Sequence, residues 1–448
     1  MLRVCYRVIS MIMLTAAAPI DRKHLTVKEK QCTIAQDGYI IHLSSNTRYS
    51  PHTAGRAAAF AEKLQKGWQR RQRRRTQDNI EEPNAILHVY RVVAMLAARL
   101  DKPSLKEVLD SAEVSSVIPN CIVKLTPEKS SASPPASSGK GNAAGWADHP
   151  QPNVTTAEGN ERGGGSQAQP PWGLDRVDSR TGLDDVYHYG SATGHGTVAY
   201  VLDTGVRVSH ADFGGRALPG WSARCPTGVE AACSDGWAYQ GVVGEGCSGH
   251  GTHCASTLAG RSHGVAKESL VVTVQVLDCS GFGSDATVIA GVDWAVQQAS
   301  RQGEPPSVLS MSVGGSHSSA VNVAIASAVR AGVSVVAAAG NENADACAYS
   351  PASAPEALTV GAVQMGDAAS SFSNHGPCVD VFAPGSGVTA AWNEDDESVQ
   401  TLSGTSSTPP AVKHPPSVSR WCCCGGHTLL LIPSVCTRIN PIKSACCE

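Results

Sequence analysis

Val198-Ala199-Tyr200-Val201-Leu202 runs directly into Asp203-Thr204-Gly205: five apolar residues, an acid, then turn residues. A continuous apolar run of this length, bounded by a turn, reads as a strand buried on both faces. The pattern recurs at Val271–Leu277, Val308–Met311, Val333–Ala339 and Leu358–Val363. Helical composition fills several intervals, notably Asp285–Arg301 and Ala320–Ala331. Buried strands alternating with helices predict an α/β domain in three layers, a mostly parallel central sheet with helices on both faces. With 42% hydrophobic and only 17% charged residues, disorder of the whole chain is excluded.

Upstream, residues 37–126 form a second compositional unit. Gly38–Leu43 reads as a strand. Residues 53–69 read as a helix with apolar positions at Phe60, Leu64 and Trp68, and Ala85–Val93 reads as a second strand. Leu105–Leu109 sits in a short helix, and Val114–Val123 closes the unit as a strand. That order suits a small α+β sheet covered by helices on one face. Between the first helix and second strand lies Arg70-Arg71-Gln72-Arg73-Arg74-Arg75, either a solvated basic loop or a processing site. Residues 127–170, rich in Ser, Pro, Gly and Ala, read as a flexible linker, with a glycosylation sequon at Asn153-Val154-Thr155. Residues 1–18 carry Arg3 and Arg7, an apolar stretch and small residues to Ala18; they read as an export signal or an ordinary helix.

Lys and Arg number 36 against 39 Asp and Glu, so no global charge points to nucleic acid or an anionic membrane. Beyond the first residues, no segment offers the ~20 apolar residues of a membrane span. Sixteen cysteines suit an exported protein better than a cytosolic one.

Four segments at strand ends or Gly-rich turns carry the chemistry. Asp203 ends the first strand. His250 lies in Gly249-His250-Gly251-Thr252-His253, whose two histidines are three apart rather than the four of a helical zinc pair. Asn341 ends the apolar run Ala337-Ala338-Ala339-Gly340. Ser406 closes Ser403-Gly404-Thr405-Ser406 at the expected start of a helix, where free backbone N–H groups and the helix dipole favour negative charge. Singly, each has an ordinary turn or capping explanation.

Together, in the order Asp, His, Ser, they resemble the subtilisin superfamily of serine proteases, in particular the proteinase K-like branch. The resemblance runs from Pro171-Trp172-Gly173-Leu174-Asp175-Arg176 to Val412. It includes Ala211–Ala217, Leu309–Gly315, Asn343–Ala352, Ser371-Phe372-Ser373-Asn374 and Phe382–Gly385. It implies a subtilisin-like fold and a triad in which Ser406 attacks the scissile carbonyl, His250 is the base and Asp203 orients the imidazole. Asn341 would supply the oxyanion hole. Ser312, Val313 and Gly314 on one side, with Gly281 on the other, would pair with substrate backbone. Ala338, Ala339 and Gly340 would wall a roomy pocket for hydrophobic side chains.

The resemblance also pairs Cys247 with Cys279 and Cys347 with Cys378, while Cys225 and Cys233 could pair within a loop. Cys254 would be a buried free thiol. No cofactor is implied for catalysis, but a structural Ca²⁺ is, held by the Pro355 and Ala357 carbonyls and the Asp380 carboxylate. Residues 37–126 become an inhibitor-like, ferredoxin-like propeptide that occupies the cleft, removed by a cut between about 126 and 171. The implied product is a secreted or vacuolar monomeric endopeptidase acting on proteins or peptides.

The pattern fails after the nucleophile. Ser407-Thr408 replaces the family's Met-Ala, and Lys413-His414-Pro415-Pro416 stands where a buried helix should continue; an interior proline costs about 3 kcal/mol. Residues 413–448, with six cysteines including Cys422-Cys423-Cys424, have no family counterpart and read as an atypical tail, the mark of a sequence artefact that replaces the final helices. Two functions therefore compete, an active endopeptidase and a pseudoenzyme that keeps the fold as a binding module. A cysteine-rich metal-binding protein is a weaker third.

Overall fold

A computed structural model of the protein describes residues 32–44, 52–72, 84–125, 129–130, 165–223, 238–239, 242–243, 246, 248–301 and 303–408. The export signal, Asn153, Arg73–Arg75 and residues 413–448 lie outside these.

The N-terminal unit runs β1 (Ile34–Leu43), α1 (His52–Gln72), β2 (Ala85–Val89), β3 (Met95–Arg99), α2 (Lys102–Leu109) and β4 (Val114–Leu125). Helix α1 buries Ala57, Phe60, Ala61, Leu64 and Trp68, an i, i+3, i+4 stripe laid on the sheet. Asp101 caps α2 by accepting from Ser104 N at 2.8 Å, and Pro103 sits early in that helix where no N–H is required. The strand expected over Ala85–Val93 ends at Val89, where the chain turns through residues 90–94 and returns as β3, a strand not expected from the sequence. Met95-Leu96-Ala97-Ala98 favours helix intrinsically, yet it is fully buried strand between β1 and β2. Burial on both faces overrides propensity here. The antiparallel order β4-β1-β3-β2 is the ferredoxin-like arrangement.

After β5 (Lys129–Ser130), the α/β unit opens with β6 (Gly165–Ala168), α3 (Trp172–Asp178), β7 (Val186–Gly190), β8 (Val198–Asp203) and β9 (Ala217–Ser222). A short hairpin, β10 (Ala238–Tyr239) and β11 (Val242–Val243), precedes α4 (Gly249–Ala259), β12 (Leu270–Gln275), β13 (Phe282–Ser284) and α5 (Asp285–Ala299). Then come β14 (Ser307–Met311), β15 (Val313–Ser316), α6 (Ser319–Arg330), β16 (Ser334–Ala338), β17 (Tyr349–Ser350) and β18 (Leu358–Val363). Strands β19 (Val381–Pro384), β20 (Val388–Ala391) and β21 (Val399–Ser403) complete it.

Seven strands form one parallel sheet in the order β19-β18-β16-β14-β8-β12-β9. Val198, Tyr200 and Leu202 pack toward α5 and α6, while Ala199 and Val201 pack toward α4, so alternate side chains serve two apolar layers.

The N-terminal unit lies against α5 and α6. Ile40, Tyr90, Val92, Val93, Met95 and Ala97 join the same apolar cluster as those helices. Tyr90 Oη donates to Ala286 O (3.1 Å), and Ala286 N donates to Asn120 Oδ1 (2.9 Å). The Asp293 carboxylate on α5 accepts from Arg91 N (2.7 Å) and Val92 N.

Two linker expectations need correction. Residues 129–130 pair with β21, and residues 165–168 pair antiparallel with β7. Gln167 is buried and accepts a hydrogen bond from Lys267 Nζ, so the ordered unit starts before Pro171. Burial pushes the Lys267 ammonium down to about 7, and Tyr187 and Tyr189 lie 5.2 and 5.6 Å away through their rings. A buried cation with these partners holds β6 in place.

Candidate active site

Asp203 and Asn341 sit at or just after the C-terminal ends of parallel strands β8 and β16, the usual location in open α/β sheets. His250 lies on α4, and Ser406 follows the antiparallel strand β21. Asp203 is the last residue of β8 and is fully buried. Its Oδ1 accepts from Thr204 N (2.7 Å) and from His250 Nδ1 (2.7 Å). A carboxylate only accepts, so Nδ1 carries the proton and Nε2 is left as the basic nitrogen. His250 lies in the first turn of α4, 2% exposed. Gly251 beside it is required sterically: a Cβ there would stand 2.1 Å from Gly205 O and 3.1 Å from Asp203 Oδ1. His253 belongs elsewhere, its Nε2 lying 3.1 Å from Val388 O and 3.2 Å from Gln400 O. The two histidines therefore do not form one metal site.

Ser406 is buried within Thr405–Ser407, a single 3₁₀ turn after β21. The expectation of an α-helix start is corrected to that extent among the described residues. A three-residue turn sums too few peptide dipoles to act as a helix terminus. Two contacts locate Ser406 beside the base. Cys254 Sγ donates to Ser406 O (3.3 Å) and lies 3.8 and 3.9 Å from the two His250 ring nitrogens. Ser312 Oγ also donates to Ser406 O, at 3.3 Å.

Asn341 follows β16. Its Oδ1 accepts from Thr405 N and Thr405 Oγ1, both at 2.8 Å, and Thr405 Oγ1 accepts from Gly340 N at 3.1 Å. With its oxygen held by Thr405, the Asn341 amide must turn its NH₂ away from that residue. Thr405 was legible only as part of the serine motif; its role needs two distant segments brought together.

The edge strands are occupied by the chain itself. β4 lies antiparallel between β13 and β15, pairing Val123 with Gly283, Lys124 with both Phe282 and Gly314, and Leu125 with Val313. Leu125 N donates to Gly281 O at 2.9 Å, and a Cβ on Gly281 would stand 2.7 Å from Leu125 Cδ1. Gly281, Val313 and Gly314 thus embrace one extended strand, as β-strand addition requires. Beyond it, Val313, Gly314, Ala338, Ala339, Gly340, Tyr349, Ser350, Pro351 and Ala352 line a small, largely apolar pocket.

Cys347 and Cys378 are disulfide-bonded, with Cα atoms 5.3 Å apart. Cys279 is disulfide-bonded, while Cys247, Cys225 and Cys233 lie outside the described residues. Cys254 is a buried free thiol. A second described bridge, Cys32–Cys121, has no sequence signal, since its cysteines are 89 residues apart. Asp380 is buried, and its Oδ2 accepts from Thr359 N at 2.8 Å. That bond brings the carboxylate to the segment just after Pro355 and Ala357. One carboxylate and two carbonyl oxygens, all hard donors, fit Ca²⁺.

Residues 194–413 match the subtilase family and residues 38–126 match the peptidase inhibitor I9 family. The chain carries a subtilase domain preceded by an inhibitor I9 domain. It is 46% identical over 247 residues to an extracellular serine proteinase of Thermus sp. (strain Rt41A), covering 55% of this chain and 56% of that one. It is 47% identical over 247 residues to alkaline serine exoprotease A of Vibrio alginolyticus (55% and 42%), and 43% over 251 to a cuticle-degrading serine protease of Arthrobotrys oligospora (55% and 57%). The subtilase chain thus spans about half the length of the curated relatives it matches. A solved cold-adapted subtilisin-like serine proteinase is 44% identical, covering 55% of this chain and 82% of its own, with a TM-score of 0.48.

Proposed function

We propose that this subtilase is an exported serine endopeptidase held as a zymogen by its own I9 domain. The observation that carries the reading is the buried Asp203–His250 hydrogen bond of 2.7 Å next to Ser406. It fixes the imidazole tautomer that a hydroxyl nucleophile requires. Ser406 Oγ attacks the substrate carbonyl as His250 Nε2 takes its proton; the same nitrogen then protonates the leaving amine. The Asn341 NH₂, turned from Thr405, and the Ser406 N–H stabilise the oxyanion, and losing such a side-chain donor costs about 3 kcal/mol of transition-state stabilisation.

Substrate binds as an added strand between β13 and β15, the place now taken by Val123–Leu125. The small apolar pocket supports a preference for hydrophobic side chains before the scissile bond. Pro355, Ala357 and Asp380 would hold a Ca²⁺ that stiffens the loop after β17, without taking part in the reaction. The ordered strand at 165–168 favours a maturation cut upstream of Gly165, leaving β6 on the mature enzyme.

Labelling by a fluorophosphonate probe tests the reading. Processed wild-type protein should label and Ser406→Ala should not. Correctly folded, processed wild type that refuses the label would replace the enzyme with a binding module built on the same fold.

A further inference from the structure

We propose that Asn374 is a positioning residue for the oxyanion hole, a reading that rests on the hydrolase function above. Asn374 lies in the loop between β18 and β19 and is completely buried. It does not reach the reacting atoms. Its side chain instead clamps the turn that bears Asn341.

All four hydrogen-bonding positions of the amide are used on that turn. Nδ2 donates to Ala339 O (2.9 Å) and to Glu342 Oε2 (2.8 Å). Oδ1 accepts from Glu342 N (3.0 Å) and Ala344 N (2.9 Å). Reversing the amide would face its NH₂ toward two backbone donors, so the orientation is determined. The Asn374 backbone adds a bond from its N to Gly340 O at 2.9 Å. Asn341 therefore sits between residues pinned on either side, Ala339 and Gly340 before it, Glu342 and Ala344 after it.

Gly340 shows how close the clamp is. Its φ is +102°, and a Cβ there would stand 2.3 Å from Asn374 Nδ2, so only glycine admits the approach. The two segments are joined further along as well. Asn343 N donates to Phe372 O, His375 N to Ala344 O and Ala346 N to His375 O, and the Cys347–Cys378 bridge closes the pair. Asn341 is thus fixed twice, its side-chain oxygen directly by Thr405 and its place in the turn through the flanking residues that Asn374 holds. Misplacing a catalytic group by about 1 Å costs on the order of 100-fold in rate. That is the scale at which a loosened turn would act.

The test compares Asn374→Ala and Asn374→Asp with wild type in the full chain after processing, per active site titrated. Asn374→Ala should lower kcat about 10- to 100-fold while KM stays within about twofold. Asn374→Asp keeps an acceptor for Glu342 N and Ala344 N but loses the donors to Ala339 O and Glu342 Oε2 and sets a second carboxylate against Glu342. Its kcat should therefore fall at least as far as that of the alanine variant. It also serves if the alanine variant does not fold. Unchanged kcat in a folded variant whose Tm has dropped would overturn the proposal. So would parallel losses in kcat and 1/KM. A readout independent of turnover is the side-chain amide resonance of Asn341 under selective ¹⁵N-asparagine labelling. It should shift or broaden in the variants, and an unchanged resonance would also overturn the proposal. If wild type neither turns over nor labels, the hydrolase reading fails on its own, and this resonance still decides whether Asn374 places Asn341.

Discussion

The chain contains two sheets that solve burial differently. The seven-stranded parallel sheet of the subtilase domain has apolar layers on both faces, α5 and α6 on one and α4 on the other. The antiparallel sheet of the I9 domain has its own helices on one face only. Its second face rests on α5 and α6, where Tyr90, Val92 and Met95 join the enzyme's cluster. A sheet face of this kind cannot be left in water without cost. The contact that covers this second face accompanies the placement of β4 between β13 and β15.

Perturbing each side separately sharpens this contrast. The largest effect belongs to the parallel sheet. Leu202→Ala removes a fully buried side chain from the central strand β8 and should destabilise the subtilase domain by about 2–5 kcal/mol. The loss would be read as a lower Tm of the full chain relative to wild type.

Next, replacing both Cys32 and Cys121 by serine opens a bridge spanning 89 residues, worth about 2–4 kcal/mol. The I9 domain alone should lose that stability, seen as weaker inhibition at an unchanged Tm of the processed enzyme. An equal drop in both transitions would break the comparison.

Asp293 yields a smaller, pH-dependent effect. Burial beneath residues 91–92 pushes its carboxyl up to about 6, against the lowering influence of the Val92 and Arg91 N–H groups. With the I9 domain gone, the ordinary carboxylate range near 4 applies. A group whose pKa is raised in the docked state favours docking at low pH. That contribution is lost as pH climbs from about 4 to about 6 and is flat above. Inhibition should weaken over that interval, by at most about 100-fold for a shift of this size. Asp293→Asn should flatten the profile while retaining the oxygen that accepts from Arg91 and Val92. A wild-type inhibition constant that does not change between pH 4 and 6 would remove Asp293 from the account. Smallest is Tyr90→Phe, which deletes the hydrogen bond to Ala286 O and should cost about 1 kcal/mol, roughly a fivefold weaker inhibition constant.

Much of this was legible in the chain. Apolar runs located five of the seven parallel strands, because strands buried on both faces cannot hide their composition. The helix stripe at Phe60, Leu64 and Trp68 was readable for the same reason. Two failures have physical causes. β3 is written in helix-favouring residues, and only its central place in the sheet makes it a strand. Gly165–Ala168 resembles linker in composition, and only its pairing with β7 and the buried Lys267–Gln167 contact show it to be ordered.

By itself the sequence determined the α/β class, the two-unit order and the identities of Asp203, His250, Asn341 and Ser406 as candidates, because local runs and short motifs carry that information. The tertiary structure alone decided what surrounds them. Thr405 reaches Asn341 from 64 residues away, and Asn374 clamps the residues on either side of it from 33 residues away. Cys32 meets Cys121, and Val123–Leu125 fills the cleft between β13 and β15. Such contacts arise when strand ends converge on one edge of a sheet. No local pattern records that convergence.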